Sequence, residues 1–153
     1  MEAFVIPLAE SLDRLHDDIY QAVEPLSDGE INWKHPSLSN TLGILLRHVA
    51  GSERYWIVQV VGGREVPRNR DAEFEHEPLT KAPLVADLRR AQREVQDVLA
   101  RLTSADLSRA VDVPFRGSTR SVTRQWALLH SMAHTAYHLG QMQLFKKMAA
   151  GAR

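Results

Sequence analysis

The stretch Trp126-Ala-Leu-Leu-His130-Ser-Met-Ala-His134-Thr-Ala-Tyr-His138-Leu-Gly140-Gln141 sets three histidines at steps of four inside an apolar run. On an α-helix a step of four turns a side chain by about 40° and advances it by about 6 Å, so the three imidazoles and Gln141 share one stripe. Lys146 and Lys147 leave from another side. One imidazole on an apolar face is usually a hydrogen-bonded core residue. Three in register each bring a ring donor and a ring acceptor that a core must satisfy. A divalent cation resolves this, because neutral imidazole is its commonest protein ligand and two histidines at i, i+4 can share one ion. The competing account is a purely structural histidine stripe. Spacing alone admits either pair, His130/His134 or His134/His138.

The same run is apolar on further sides: Val122, Trp126, Leu129, Ala133, Gly140 and Leu144 on one, Leu128, Met132 and Leu139 on another. A helix apolar nearly all round must be buried nearly all round, and we expect it over 119–148. The stripe Leu128, Met132 and Leu139 predicts a homodimer that covers part of it.

Upstream, Leu8, Leu12, Leu15, Ile19 and Val23 predict a helix over 5–24 stopped by Pro25, with His16 as a structural residue at the stripe edge. A second helix is expected over 39–61, capped by Ser39 or Asn40 and stopped at Gly62-Gly63. Its stripe is Leu42, Leu45, Leu46, Val49, Trp56 and Val60. Glu53 falls inside that stripe, where a carboxylate must pair with a basic residue or serve a site. His48 lies on the flank near Ser52, Tyr55 and Gln59. A third helix, over 81–102, follows Thr80 and Pro83 and buries Leu84, Leu88, Ala91, Val95, Val98, Leu99 and Leu102. Arg93 and Asp97 are a surface pair on it.

The connections 26–38, 62–79 and 103–118 lack periodicity, and the long charged 62–79 segment is expected to cover a substrate pocket. Val111-Asp-Val-Pro-Phe115 reads as a short extended piece in which Pro114 argues against a central strand. Four helices without a convincing strand make an all-α four-helix bundle, a single domain over 1–153, whose core can hold ligands from facing helices.

Composition narrows the chemistry. With 153 residues, 44% hydrophobic and 25% charged, the chain is an ordinary globular length and mixture. Lys plus Arg and Asp plus Glu are 19 each, so no net charge steers it to nucleic acid or an anionic membrane. It has no cysteine, which excludes disulfides, thiolate ligands and a cysteine nucleophile. The N-terminus lacks signal-peptide features and no run of about 18 apolar residues exists, so a cytoplasmic location is expected.

His134-Thr-Ala-Tyr-His138-Leu-Gly140-Gln141, with His48 in Leu45-Leu46-Arg47-His48, resembles the DinB/YfiT-like metalloenzyme family. The approach Ile31-Asn-Trp33-Lys through Ser39-Asn-Thr-Leu-Gly43 is similar too. The resemblance implies a four-helix bundle with long crossover connections, often a homodimer. It implies one divalent ion, zinc or nickel, held by His48, His134 and His138. His130 would then line the pocket or support a ligand, while Gln141, one turn on, would orient a ligand or pack structurally. Relatives of this kind include S-transferases and isomerases that use low-molecular-weight thiols such as bacillithiol or mycothiol.

Three neutral imidazoles leave a cation its full charge and an open position, so water or a thiol could be activated at neutral pH. The metallopeptidase pattern fails, since Ser131 follows His130 and Thr135 follows His134 where a Glu is required. Ser131 and Ser52 lack a Ser-His-Asp setting. A di-iron carboxylate site fails for want of Glu-x-x-His pairs. Glu53 is the first candidate for a catalytic base and Tyr137 the second. The expected function is a metal-dependent transferase or hydrolase acting on a small thiol or its adduct. The alternative is a non-catalytic metal-binding protein, a sensor, store or staple.

Overall fold

The structure is a computed structural model that describes residues 1–115 and 117–151. Helix α1 (Ile6–Val23) has Pro7 in its first turn and turns Leu12, His16, Ile19 and Val23 inward. These positions recur at steps of four and three, the period that keeps one face on a core. A capping box then opens the single-turn helix α2 (Asp28–Ile31): Ser27 accepts from the Glu30 amide, and Glu30 accepts from the Ser27 amide. This turn lies within the segment expected to be a plain loop.

Helix α3 (Leu42–Glu53) is capped by the Thr41 hydroxyl, which accepts from Ile44 N at 3.2 Å, rather than by Ser39 or Asn40. The expected single helix to residue 61 changes character at Arg54: Arg54–Val61 continue it as a π-helix, with Gly62 N bonded back to Ile57 O. The wider turn shifts the phase of the face, so Ile57, Val58, Val60 and Val61 are all buried. Gly63, at φ +73°, then takes the left-handed conformation that ends the helix.

The chain next crosses the open side of α3 as an irregular strap with one 3-10 turn, Asp71–Phe74. Helix α4 (Lys81–Leu99) buries Leu84, Leu88, Ala91, Val95 and Leu99. Thr80 makes no side-chain cap here. The Asp28 carboxylate takes the Lys81 amide at 2.8 Å instead, tying α4 to α2. A second capping box, Thr103 with Asp106, starts the short α5 (Ser104–Leu107).

The largest departure from expectation follows. Two strands, β1 (Ala110–Phe115) and β2 (Ser118–Thr123), pair antiparallel in the register Val111 opposite Val122 and Val113 opposite Arg120. The long helix therefore starts at Arg124, not near 119. Ser118-Thr-Arg-Ser-Val-Thr123 is poor in helix formers and rich in β-branched and hydroxyl side chains, and Val111, Val113 and Val122 turn one face to the core. Pro114 is tolerated because both strands of a two-stranded sheet are edges. Helix α6 (Arg124–Gly151) completes the chain.

Thus the protein is mostly helical with one small sheet. Helices α1 and α3 each pack against both α4 and α6. Two apolar clusters result. One joins Ile19, Leu45, Leu46, Leu88, Met142 and Phe145, and the other joins Leu12, Ile57, Val95, Leu99, Val113 and Leu128. Each fully buried Leu or Ile contributes about 1.5–3 kcal/mol. On α1, α3 and α6 the two clusters are separated by buried polar side chains: His16, Ser52, Glu53, Ser131 and Thr135. Leu128 and Leu139 belong to these clusters and Met132 packs on the second, so the stripe expected to face a partner is covered by the chain itself. The large apolar side chains that α6 does expose are Leu129, Tyr137 and Leu144. Among the described residues no helix is long and apolar enough to cross a membrane.

Candidate metal centre

Where α3 passes α6, His48 meets His134 and His138. His48 Nε2 lies 3.0 Å from His134 Nε2, and His138 Nε2 lies 3.1 Å from the same atom. The far side of two rings is occupied. His48 Nδ1 donates to Glu73 Oε2 at 2.7 Å, and His138 Nδ1 donates to Gln141 Oε1 at 2.7 Å. A carboxylate and an amide carbonyl only accept, so the ring protons of His48 and His138 sit on Nδ1 and their Nε2 lone pairs face inward. His134 Nε2 could donate to one of them, never to both. Three converging ring nitrogens so disposed suit a cation, whose tetrahedral imidazole ligands stand about 3.3 Å apart at Zn–N distances near 2.0–2.1 Å. The donor set, nitrogen only and without thiolate, suits a borderline divalent ion.

The electrostatics agree. Burial pushes His134 down to about 3, helped by the neighbouring His138, His48, His130 and Arg68. His138 is lowered as well, chiefly by burial, against the opposing effect of the hydrogen bond it donates to Gln141. Rings held deprotonated at neutral pH are rings available as ligands.

Sequence reasoning missed Glu73. It comes from the strap and reaches the back of His48 because Gly51 leaves room: a Cβ at residue 51 would lie 2.2 Å from Glu73 Oε1. Burial alone raises the Glu73 carboxyl, but the Arg68 hydrogen bonds and His48 outweigh it and hold the group below the usual carboxylate range. Arg68 grips it with both prongs, Nε to Oε1 at 2.7 Å and Nη2 to Oε2 at 2.9 Å. Carboxylates that orient a ligating histidine in this way raise its basicity and fix its tautomer. Arg47, beside His48, fastens the strap by donating to the carbonyls of Glu73 and Glu75 at 3.0 and 2.7 Å. Nothing distinguished Glu73 from Glu65, Glu75 and Glu77 in a segment without periodicity.

The other candidates separate. His130 is not in the cluster. Its ring stacks on Trp126, with centroids 4.7 Å apart and planes 8° from parallel, and it makes no hydrogen bond among the described residues. Glu53 is wholly buried away from the cluster, with Oε2 2.8 Å from His16 Nε2 and Oε1 accepting from the Thr135 hydroxyl at 2.8 Å. Burial depresses His16, yet the Glu53 hydrogen bond and the charges of Glu53, Asp13 and Asp17 hold its pKa above the ordinary value. Tyr137 is exposed and accepts from the Gln141 amide at 3.1 Å.

A cavity of about 750 Å³ opens onto His48 and His134 between the π-helical end of α3, the strap and α6. That size is ordinary for a small-molecule site. Ser52 and His130 share its wall, whereas Glu53 does not.

Two solved structures are similar over nearly the whole chain. One, a conserved protein from Enterococcus faecalis, aligns with a TM-score of 0.79 at 16% identity, covering 99% of each chain. The other, a DinB-like protein from Bacillus cereus, aligns with a TM-score of 0.70 at 17% identity, covering 94% of this chain and 91% of that one. At such identities the likeness speaks for the fold. No curated protein sequence matches. The family model of the DinB superfamily matches residues 11–142, most of the chain and all three clustered histidines, and the protein belongs to that superfamily.

Proposed function

We propose that the protein is a metal-dependent enzyme in which His48, His134 and His138 hold one zinc or nickel ion, and that the four long helices form a DinB-type four-helix bundle around it. The observation that carries this is the convergence of three Nε2 atoms at 3.0 and 3.1 Å with two of the ring protons committed elsewhere. The ion, when bound, supplies Lewis acidity that makes a thiol or water nucleophilic at neutral pH. Glu73 and Gln141 hold two of the rings in their ligating tautomer, and Arg68 keeps Glu73 ionised. The cavity beside His48 and His134 favours catalysis over a sensor, store or staple, because a closed structural site needs no space for a substrate. Transfer of a low-molecular-weight thiol to a small electrophile, or hydrolysis of a small substrate, suits this arrangement. His130, on the cavity wall, is better placed than Glu53 to exchange a proton with a substrate.

Elemental analysis of protein purified without added metal tests the site. About one divalent ion per chain is expected, removed by chelator with a fall in melting temperature. Protein that never carries an ion, and whose melting point is indifferent to zinc and nickel, would refute the reading. Thiol consumption with a panel of electrophiles, present in the loaded enzyme and absent from the His134→Ala variant, tests catalysis.

A further inference from the structure

The cavity wall carries a charge pattern that the metal reading does not use. Among the described residues that line it there is no carboxylate, while Arg68 and Arg70 both face it. Glu73 is turned away from it, its oxygens bound by Arg68 and His48. Arg68 spends Nε and Nη2 on Glu73, and among the described residues its Nη1 has no hydrogen-bond partner. Arg70 makes no ion pair among the described residues; its guanidinium lies 5.1 Å from the Phe74 ring centroid, and Phe74 packs in turn on His48. Tyr55 and Gln59 add donors, since Gln59 uses its carbonyl on the Val66 amide at 3.1 Å and keeps its NH₂. Arg68 has its charge balanced by Glu73 and lies over the Tyr55 ring at 5.3 Å, so Arg70 supplies the excess positive charge of this wall and, with the Nη1 edge of Arg68, makes a site for an anion. The wall also carries aromatic rings: Trp56 and His130 meet edge to face with centroids 4.8 Å apart.

We infer that this cavity binds a small organic carboxylate with a planar apolar body, its carboxylate on Arg70 and the free edge of Arg68 and its body against Trp56 and His130. The inference shares the cavity of the proposed enzyme and names its substrate class. It rests on that reading for catalysis but not for binding.

The test uses the full chain, zinc-loaded and chelator-treated, with benzoate, benzamide and inorganic phosphate as probes in ligand-observed NMR titrations. Benzoate should bind at least about 10-fold more tightly than benzamide or phosphate, since a hydrogen bond to a charged group contributes roughly that much or more. It should still bind after chelation. Arg70→Gln, an exposed position, should weaken benzoate by about 10-fold or more while zinc content and melting temperature stay at wild-type values. The inference is overturned if Arg70→Gln binds benzoate like wild type, if benzamide or phosphate binds as well as benzoate, or if chelation abolishes binding. Wild-type protein that binds benzoate but never zinc would instead refute the metal reading and leave this one standing.

Discussion

Gly51→Ala should weaken metal binding without touching a ligand. The new Cβ would stand 2.2 Å from Glu73 Oε1 and 2.8 Å from its Cδ, far inside contact distance. Glu73 ends a flexible side chain, so it swings aside and the backbone stays. The movement breaks the 2.7 Å bond to His48 Nδ1 and the Arg68 grip together. Losing such an orienting partner costs typically 10–100-fold in metal affinity, or about 1.4–2.7 kcal/mol of binding free energy. The metal-free protein responds differently. Alanine in the interior of α3 gains up to about 1 kcal/mol over glycine in helix propensity, which offsets part of the lost hydrogen bonding. Its melting temperature should stay within a few degrees, since 1 kcal/mol corresponds to about 2–4 °C at this size. Zinc affinity is measured by competition with a chromophoric chelator, and stability by thermal melts with and without chelator. Glu73→Ala should lose a similar factor, and the double variant little more than either, because both act through one contact. Zinc affinity within two-fold of wild type for Gly51→Ala, or additive losses in the double variant, would refute the role given to Glu73.

Replacing His48, His134 or His138 by Ala should empty the site on elemental analysis, while His130→Ala keeps most of the metal. The opposite outcome for His130 and His138 would move the ligand pair one turn back. In chelator-treated protein, unfolded His134 binds its proton near 6.5 and folded His134 near 3. Between those values the unfolded state holds more protons, so stability falls as pH is lowered, and His134→Gln should flatten this acid limb in denaturant titrations. His16 has the opposite sign. With a folded pKa above 6.5, its contribution is complete below 6.5 and disappears as pH rises through the folded value, a slope that His16→Gln should remove. Glu53→Ala, which leaves His16 buried without its partner, should cost about 3–5 kcal/mol by urea denaturation. Association as a homodimer should run through Leu129, Tyr137 and Leu144, and Leu129→Lys should return the monomer mass in light scattering.

The helices α1 and α4 were legible in the sequence because amphipathic period is a local property: Leu12, Ile19, Leu88 and Val95 recur where any core-facing helix needs them. That neighbouring histidines of the last helix could share one ion was legible for the same reason, since i, i+4 on one helix fixes proximity, but spacing left His130/His134 and His134/His138 equally open and only the family pattern favoured the latter. His48 was reached only through the family pattern, because no spacing rule relates residues 86 apart. Glu73 came to light only in three dimensions. It arrives on a segment without periodicity, across a gap that Gly51 leaves open, and pairs across 25 residues. The pairing of Glu53 with His16 across 37 residues was likewise a matter of which faces packed. The strand pair β1 and β2 was missed because its strands support each other and the core; neither Val111–Phe115 nor Ser118–Thr123 declares itself alone. The outward side of α6 was misjudged too, since a helix apolar nearly all round does not say which side its own chain covers. That is decided when α1, α3 and the strand pair close over Leu128 and Leu139 and leave Leu129 and Leu144 outside.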